Sequence, residues 1–310
     1  MFLAGEPSGM DLSVVVPTLN NREELRRCLD ALAEHTPELE LIVVNGPSSD
    51  GTTGMVRDRP DVDVLVEVSE RNGNVARNAG IETATGDYIA FVDSTYAIEP
   101  SWYDAVRTAF GTGADVVTGP THRSLRAGVT TETETTETVA GRTVTFFNGD
   151  NVAFRVETLQ ALDGFDEYLA ADGERDTSHR LAGLDYSVTW DGEMSVRGEY
   201  EADGGRLDRE IGSSYRARAY RLVKNYGIRP RTAAGTLWRA LRDSIDAAGD
   251  VTRGDLQPTV WLRSGRDVIG GLIAGVYAGL RARRADRSYR RNPNGVSTRH
   301  DRAVQRYDRR

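Results

Sequence analysis

LSVVVPTLNN, residues 12–21, is a β-branched apolar run stopped by Pro17 and released into a polar turn. Asn20 or Asn21 can cap a following helix, in which Leu25, Cys28, Leu29 and Leu32 recur at helical spacing. The same strand, turn and helix rhythm continues outward. Leu41–Val44 and Val62–Val68 read as strands, Asn74–Thr83 as a helix, and Tyr88–Val92 as a strand entered after Gly86. Trp102–Phe110 then reads as a helix and Asp115–Thr118 as a strand. Alternation of this kind predicts an α/β fold with a parallel or mostly parallel sheet covered by helices.

Residues 121–145 break the rhythm. The TTETETTET of 130–138 is low in complexity, acidic and Thr-rich, and is expected as a solvated hairpin or loop. Strand character resumes at Val144–Phe147 and again at Tyr186–Trp190 and Met194–Arg197, with helices expected at Val156–Leu162 and Arg175–Leu181. From Ser214 onward the pattern is helical with interleaved arginine. Two regions follow: a domain over 1–210, and a basic, helical, membrane-associating region over 211–310.

Charge narrows the class. Lys and Arg number 39 against 47 acids, for a net charge of −8, and Lys224 is the one lysine. An acid-rich, nearly lysine-free surface suits a very salty cytosol, so a salt-adapted, archaeal source is expected. One cysteine, Cys28, excludes a disulfide framework and a cysteine-rich metal site. There is no run of about 18 unbroken apolar residues, and the opening MFLAGEPSGM is too short and polar for a secretory signal. A cytosolic protein is expected. The charge is uneven, however: residues 281–310 carry eleven Arg and three Asp, and residues 215–242 hold eight basic residues and no acid. A positive end on a negative protein points to phosphate, whether of a nucleotide, a lipid or an anionic membrane surface.

Four polar segments stand at or just after strand ends, where ligands of open α/β sheets bind. Pro17–Asn20 could hold an anion on exposed backbone N–H groups, or simply make a capped turn. Asn45–Thr52 could read a base edge and ribose hydroxyls, or cap the next helix through Ser48 or Asp50. Arg77 would suit a diphosphate, or be an ordinary surface arginine. Asp93, ending Tyr88–Val92, could hold a divalent cation against phosphate oxygens, or serve as a turn residue.

In this order and spacing the segments SVVVPTLNN (13–21), VVNGPSSDGT (43–52), ARNAGI (76–81) and GDYIAFVDST (86–95) resemble glycosyltransferase family 2, inverting enzymes of the GT-A fold. The resemblance covers roughly residues 11–200. It implies a GT-A, Rossmann-like mixed sheet with flanking helices, its donor half at about 11–120 and its acceptor half at about 144–205. It places Pro17, Asn20, Asn45, Asp50 and Arg77 along a UDP-linked sugar donor, with Asp93 at the diphosphate. Asn45 stands where the family has Asp, and keeps an accepting oxygen. Thr95 stands where an Asp-x-Asp motif has its second carboxylate. Either Asp93 alone holds Mg²⁺ or Mn²⁺ with waters, or Arg-rich segments neutralise the diphosphate.

The acceptor half implied by the resemblance begins at NGDNVAFR (148–155) and continues through LDGFDEYL (162–169). In ADGERDTSHRLA (171–182), aligning Arg180-Leu181 on the family's Arg-Leu puts Glu174 at the base position and Asp176 two residues on. An inverting transfer needs such a base to take the acceptor's proton. The two acids, close in sequence, are expected to act on each other so that one stays basic near neutrality. Asp176 is equally an i,i+4 partner for Arg180, and His179 is expected to support or to face solvent.

Tyr215–Gly227 reads as a helix on which Arg218, Arg221 and Lys224 recur, and these are expected to grip the phosphate of the acceptor or of lipid. Val268–Leu280 is apolar, Gly-rich and thirteen residues long, flanked by Arg263, Arg266, Arg281, Arg283 and Arg284. That length fits an interfacial, re-entrant or core helix. No nucleic-acid-binding module accompanies the basic end, so no nucleic-acid partner is expected. The expected protein is a peripheral enzyme of the membrane's cytoplasmic face. It would move a hexosyl or hexuronosyl group from a nucleotide-sugar to a dolichyl-phosphate-linked acceptor in surface-glycoprotein N-glycan assembly. Thr95 and Glu174 also leave open a noncatalytic scaffold or nucleotide-sugar sensor.

Overall fold

A computed structural model describes residues 10–36, 39–125, 128–170, 172–199, 211–253, 258–286 and 303–310. The first half runs β1 (Leu12–Thr18), α1 (Arg22–His35), β2 (Glu40–Asn45), α2 (Thr52–Arg57), β3 (Val64–Val68), α3 (Gly73–Thr83) and β4 (Tyr88–Val92). It continues through β5 (Ala97–Ile98), α4 (Trp102–Gly111), β6 (Val116–Thr118), β7 (Thr121–Leu125), β8 (Gly128–Thr131), β9 (Thr135–Val139) and β10 (Arg142–Phe146). The second half holds β11 (Asn151–Arg155), α5 (Val156–Leu162), α6 (Gly173–Gly183), β12 (Val188–Trp190) and β13 (Val196–Glu199). Helices α7 (Ile211–Tyr226), α8 (Pro230–Arg253) and α9 (Pro258–Asp286) follow, then β14 (Ala303–Asp308).

Among the described residues, eight strands make one mixed sheet in the order β12-β6-β11-β4-β1-β2-β3-β14. β4, β1, β2 and β3 are mutually parallel, and β11 lies antiparallel between β4 and β6. A strand buried on both faces must be apolar at successive positions, which is why β1 reads as an unbroken valine run. Val14 and Val16 pack in one core with Leu25, Cys28, Leu29 and Leu32 of α1, and Val15 packs in the other with Ala76 and Ala79 of α3. Each such burial contributes about 1.5–3 kcal/mol. Gly80 lets α3 lie flat on β1, since a Cβ there would stand 2.3 Å from Val15 Cγ1.

The solvated hairpin expected within 130–138 is present in part, since the exposed β9 pairs with β10, while β7 and β8 add regular structure beyond that expectation by joining a four-stranded sheet ordered β5-β13-β7-β8. β-branched threonine favours extended backbone even where β9 residues are exposed. The last described residues are a strand, not helix. β14 pairs antiparallel with β3, Tyr307 packs against the core, and the Arg57 guanidinium sits 4.6 Å over its ring.

The apolar run of α9 divides by face. A Cβ on Gly271, Gly275 or Gly279 would stand 2.2 Å, 2.3 Å and 2.7 Å from the carbonyl oxygens of Gly212, Arg216 and Tyr220, so α9 packs backbone to backbone on α7. Ile269, Ile273, Tyr277 and Leu280 face outward and are exposed, as are Leu237, Trp238, Leu241 and Ile245 of α8. Among the described residues no helix is long and apolar enough to cross a membrane.

Candidate functional site

The turns after β1 and β2 lace together. Gly46 N donates to Thr18 O at 2.9 Å, Asn20 N to Ser48 Oγ at 2.9 Å, Ser49 N to Asn20 Oδ1 at 2.8 Å, and Arg22 N to Asp50 Oδ2 at 3.0 Å. Asn21 Nδ2 reaches Ser94 Oγ at 3.3 Å, tying this pair of loops to the turn after β4. Three of the four sequence segments are therefore contiguous. Their side chains are occupied differently from expectation, however. Pro17 is buried within β1, in register with Val44. Asn45 is fully buried: its Nδ2 donates to Thr53 Oγ1 at 2.9 Å and its Oδ1 accepts from Ser48 Oγ at 2.7 Å. The oxygen assigned to a base is already bonded and out of reach, so Asn45 shapes the loop from within. Asn20 and Asp50 are exposed but bind loop backbone and the first turn of α2.

Alongside, a cleft of about 810 Å³ is lined by Arg77, Asp93 and Glu174 together. Arg77 projects from α3, where Nη2 donates to Gly149 O at 3.0 Å and Nη1 to Asn74 Oδ1 at 3.2 Å. Glu174 stands in the first turn of α6, against that same Gly149, where an added Cβ would come within 3.0 Å of Glu174 Cβ. The segment 165–169, which leads into α6, is held to α3 by buried asparagines. Asn74 Nδ2 donates to Asp166 O and Leu169 O, and Asn78 binds the Phe165 backbone through both ends of its amide. These asparagines carry no charge to flag them in the sequence, yet they set where Glu174 sits.

Asp93 lies on the cleft wall with Oδ1 accepting from Thr95 N at 3.0 Å and from Thr95 Oγ1 at 2.6 Å. Thr95 thus fixes the carboxylate rather than adding a second one. Among the described residues no group of three or more His, Cys, Asp or Glu side chains is arranged to hold a metal. The donor set still fits a hard cation bridged to a ligand's phosphates, since Mg²⁺ is commonly bound by one or two carboxylates plus phosphate and water, and Asp93 leaves Oδ2 outside its bonds to Thr95. Asp150, Glu132 and Arg123 also line the cleft, with Arg123 Nη2 3.5 Å from Glu132 and 3.7 Å from Asp150. Asp150 sits in a quoted motif without an assigned role. Arg123 lies on β7, THRSL, which carries no apolar alternation to mark it as a strand.

Asp176 is not in the cleft. Residues two apart on a helix lie about 200° around its axis, so Glu174 and Asp176 face opposite ways. Asp176 is fully buried, accepting from Lys224 Nζ at 2.6 Å, Arg180 Nε at 2.9 Å and Asn225 Nδ2 at 2.8 Å. Burial alone would raise its carboxyl, but Lys224, then Arg180, with hydrogen bonds from Lys224 and Asn225, hold it well below the usual range. A base so neutralised and enclosed cannot take an acceptor's proton. Lys224 is likewise removed from lipid or acceptor phosphate: it is 2% exposed and also binds Asp166 Oδ2 at 2.7 Å, where Tyr220 OH adds a 2.7 Å bond. Two carboxylates and two cations close into one neutral network that docks α7. Arg218 and Arg221 line a second cavity instead, with Arg175 and His179. Burial, then Arg221, lower His179 to about 3, so the ring is neutral, with Nδ1 2.8 Å from Tyr226 OH.

A mixed sheet with a β4-β1-β2-β3 parallel half, an antiparallel β11 insertion and a carboxylate-ended β4 above an acidic cleft is the GT-A architecture. Residues 13–163 match the family model described as Glycosyl transferase family 2. The match takes in just under half of the chain, and over that stretch the chain is similar to that family. Among curated proteins it is similar to glycosyltransferase AglE of Haloferax volcanii, 27% identical over 195 residues, spanning 58% of this chain and 64% of that protein. It is also similar to the glycosyltransferase YibD of Escherichia coli, 35% identical over 102 residues, or 31% of this chain and 29% of that one. The chain thus spans less than two thirds of these relatives. Its fold is shared with S. aureus TarS 1-349 in complex with UDP-GlcNAc, at TM-score 0.59 and 19% identity over 91% of this chain and 88% of that one. It is shared also with the mannosyltransferase PcManGT of Pyrobaculum calidifontis in complex with GDP-Man and Mn²⁺, at TM-score 0.54 and 18% identity over 89% and 91%.

Proposed function

We propose that the protein transfers a sugar from a nucleotide donor, UDP-linked, to a dolichyl-phosphate-linked acceptor, with inversion, in assembly of a surface-glycoprotein N-glycan. The observation that carries the reading is the single cleft shared by Arg77, Asp93 and Glu174. Arg77 and Asp93 sit at the diphosphate of the donor, and Glu174 on the far wall takes the acceptor hydroxyl's proton as that oxygen attacks the anomeric carbon opposite the leaving nucleotide. With Asn45 enclosed, the base is read by backbone groups and hydroxyls of the laced loops. A Mg²⁺ or Mn²⁺ ion, held by Asp93 and the diphosphate, supplies charge neutralisation of the leaving group when bound.

The acceptor is lipid-borne and the enzyme peripheral on the cytoplasmic face. The outward stripe Ile269, Ile273, Tyr277 and Leu280 offers apolar surface, and exposed Arg266, Arg281 and Arg284 flank it. An apolar stripe with basic flanks is the paired signal for anionic lipid. Purified protein is to be incubated with UDP-sugars and short dolichyl phosphates, bare and sugar-bearing, with and without Mn²⁺. Lipid-linked product with β-configured transfer from an α-linked donor is expected. Nucleotide-sugar binding with no turnover on any acceptor would leave a sensor or scaffold in its place.

A further inference from the structure

A second chamber, of about 840 Å³, opens between the β9–β10 hairpin, α6, α7 and the start of α8. Phe146 and Arg175 stand in the walls of both this chamber and the cleft, and the Arg175 guanidinium lies 5.0 Å over the Phe146 ring. Five arginines line the chamber (Arg175, Arg218, Arg221, Arg229 and Arg231) against one carboxylate, Glu137. Burial first, then Arg239, weakens the hold of Arg218 on its proton. For Arg221, burial and then Arg175 and Arg218 do so against the opposing pull of Asp172.

Arg221 is 5% exposed, yet its Nε and Nη1 have no hydrogen-bond partner, and neither does the buried Nε of Arg218. The carboxylate facing Arg221, Asp172 Oδ2, stands 3.6 Å from Nη1, too far for a hydrogen bond. Buried guanidinium donors left unbonded in a surplus of like charge are unfavourable until an anion arrives, and guanidinium forks match phosphate oxygens. His179, kept neutral in the same wall, leaves the anion-binding work to the arginines.

We propose that this chamber seats the phosphate linkage of the lipid acceptor, apart from the donor's diphosphate in the cleft. Arg218 and Arg221 are its ligands, and Arg175 marks the join between the two spaces. Arg175 follows Glu174 in the chain, so a headgroup anchored in the chamber presents its sugar end past Phe146 towards the base. The inference rests on the lipid-linked acceptor reading and adds where, and by which residues, that acceptor is held.

The test uses the full chain saturated with UDP, so that the donor subsite is filled, and titrates geranyl diphosphate and inorganic pyrophosphate separately by calorimetry. Geranyl diphosphate is expected to bind more tightly than pyrophosphate. Arg221→Gln, and independently the less buried Arg218→Gln, should each weaken it at least tenfold, with UDP affinity measured in both variants as the check of folding. UDP-saturated protein that ignores geranyl diphosphate overturns the proposal, as do variants that bind UDP and keep wild-type affinity for the prenyl ligand. Equal affinity for the two probes would assign the chamber to a free anion and overturn its role in acceptor binding. Wild-type protein that binds no UDP sinks the donor reading first, and this inference with it.

Discussion

Lys224→Met removes one nitrogen from between two buried carboxylates. In the wild type that nitrogen lies 2.7 Å from Asp166 Oδ2 and 2.6 Å from Asp176 Oδ2, and both aspartates are 0% exposed. After the substitution Asp166 keeps the Tyr220 hydroxyl but no cation, while Asp176 keeps Arg180 and Asn225. Removing one partner of a buried ion pair costs about 3–5 kcal/mol, because the other charge stays behind unpaired. The folding equilibrium should therefore weaken by roughly 10²- to 10⁴-fold. Urea denaturation followed by circular dichroism reads the total, and hydrogen exchange locates it: α7 and α9 should lose protection first, since this network holds α7 to α6. The dependence on pH is a second signature. Asp176, with its folded pKa depressed, contributes stability that is present above its unfolded pKa and lost as pH falls through the folded one. In the variant a carboxylate without its cation takes up a proton on folding, so the variant gains stability as pH falls from neutrality towards about 4. The gap between the two proteins should narrow over that range. A loss under about 1 kcal/mol at pH 7 would place the interaction among exposed pairs and refute the reasoning. A gap that stays constant from pH 7 to 4 would do the same.

Three further outcomes are expected. Glu174→Gln should lower turnover by about 10²-fold or more with donor binding intact, whereas Asp176→Asn should show its effect in stability; a fully active Glu174→Gln would remove the proton-transfer role. Asp93→Ala should lower kcat by about 10²-fold as stabilisation of the leaving diphosphate is lost, and equal rates for the two proteins in a single-turnover assay would contradict that placement. Ile273→Asp combined with Tyr277→Asp should abolish flotation with vesicles containing anionic lipid while preserving UDP binding; unchanged flotation would discard the proposed membrane face. Point substitution is the cleaner probe here, because truncating the C-terminal region would also strip β14 from β3.

The reach of the sequence follows what each pattern depends on. α1 was legible because its burial repeats with the helical period, and β1 and β4 because strands buried on both faces read as short unbroken apolar runs. Leu25, Cys28, Leu29 and Leu32 are all buried in α1, as their spacing required. β7, β8 and β14 were not, since threonine-rich or arginine-rich segments carry no apolar alternation, and β7 and β14 owe their strands to partners far away in the chain. The cleft's Arg77, Asp93 and Glu174 could be found from motif order. For Asp176 the i,i+4 pairing with Arg180 is the reading that holds, while its role as a base and that of Lys224 as a phosphate ligand fail for one reason: here opposite charges meet each other inside. That the one lysine occupies this position is itself informative. Its single ammonium nitrogen is shared by two buried carboxylates, 2.7 Å from Asp166 Oδ2 and 2.6 Å from Asp176 Oδ2.

The placement of β14 has a mechanical consequence. Helices α7 to α9 follow β13, a strand of the smaller four-stranded sheet, and the chain returns as β14 on an edge of the eight-stranded sheet, so the helical arm resembles a bucket handle riveted at two points rather than a flag on one pole. An arm riveted in this way carries its load to both sheets. If its outer stripe rests on lipid, the catalytic opening stands at a set height and tilt above that surface, and the stand-off selects how long a headgroup can be served.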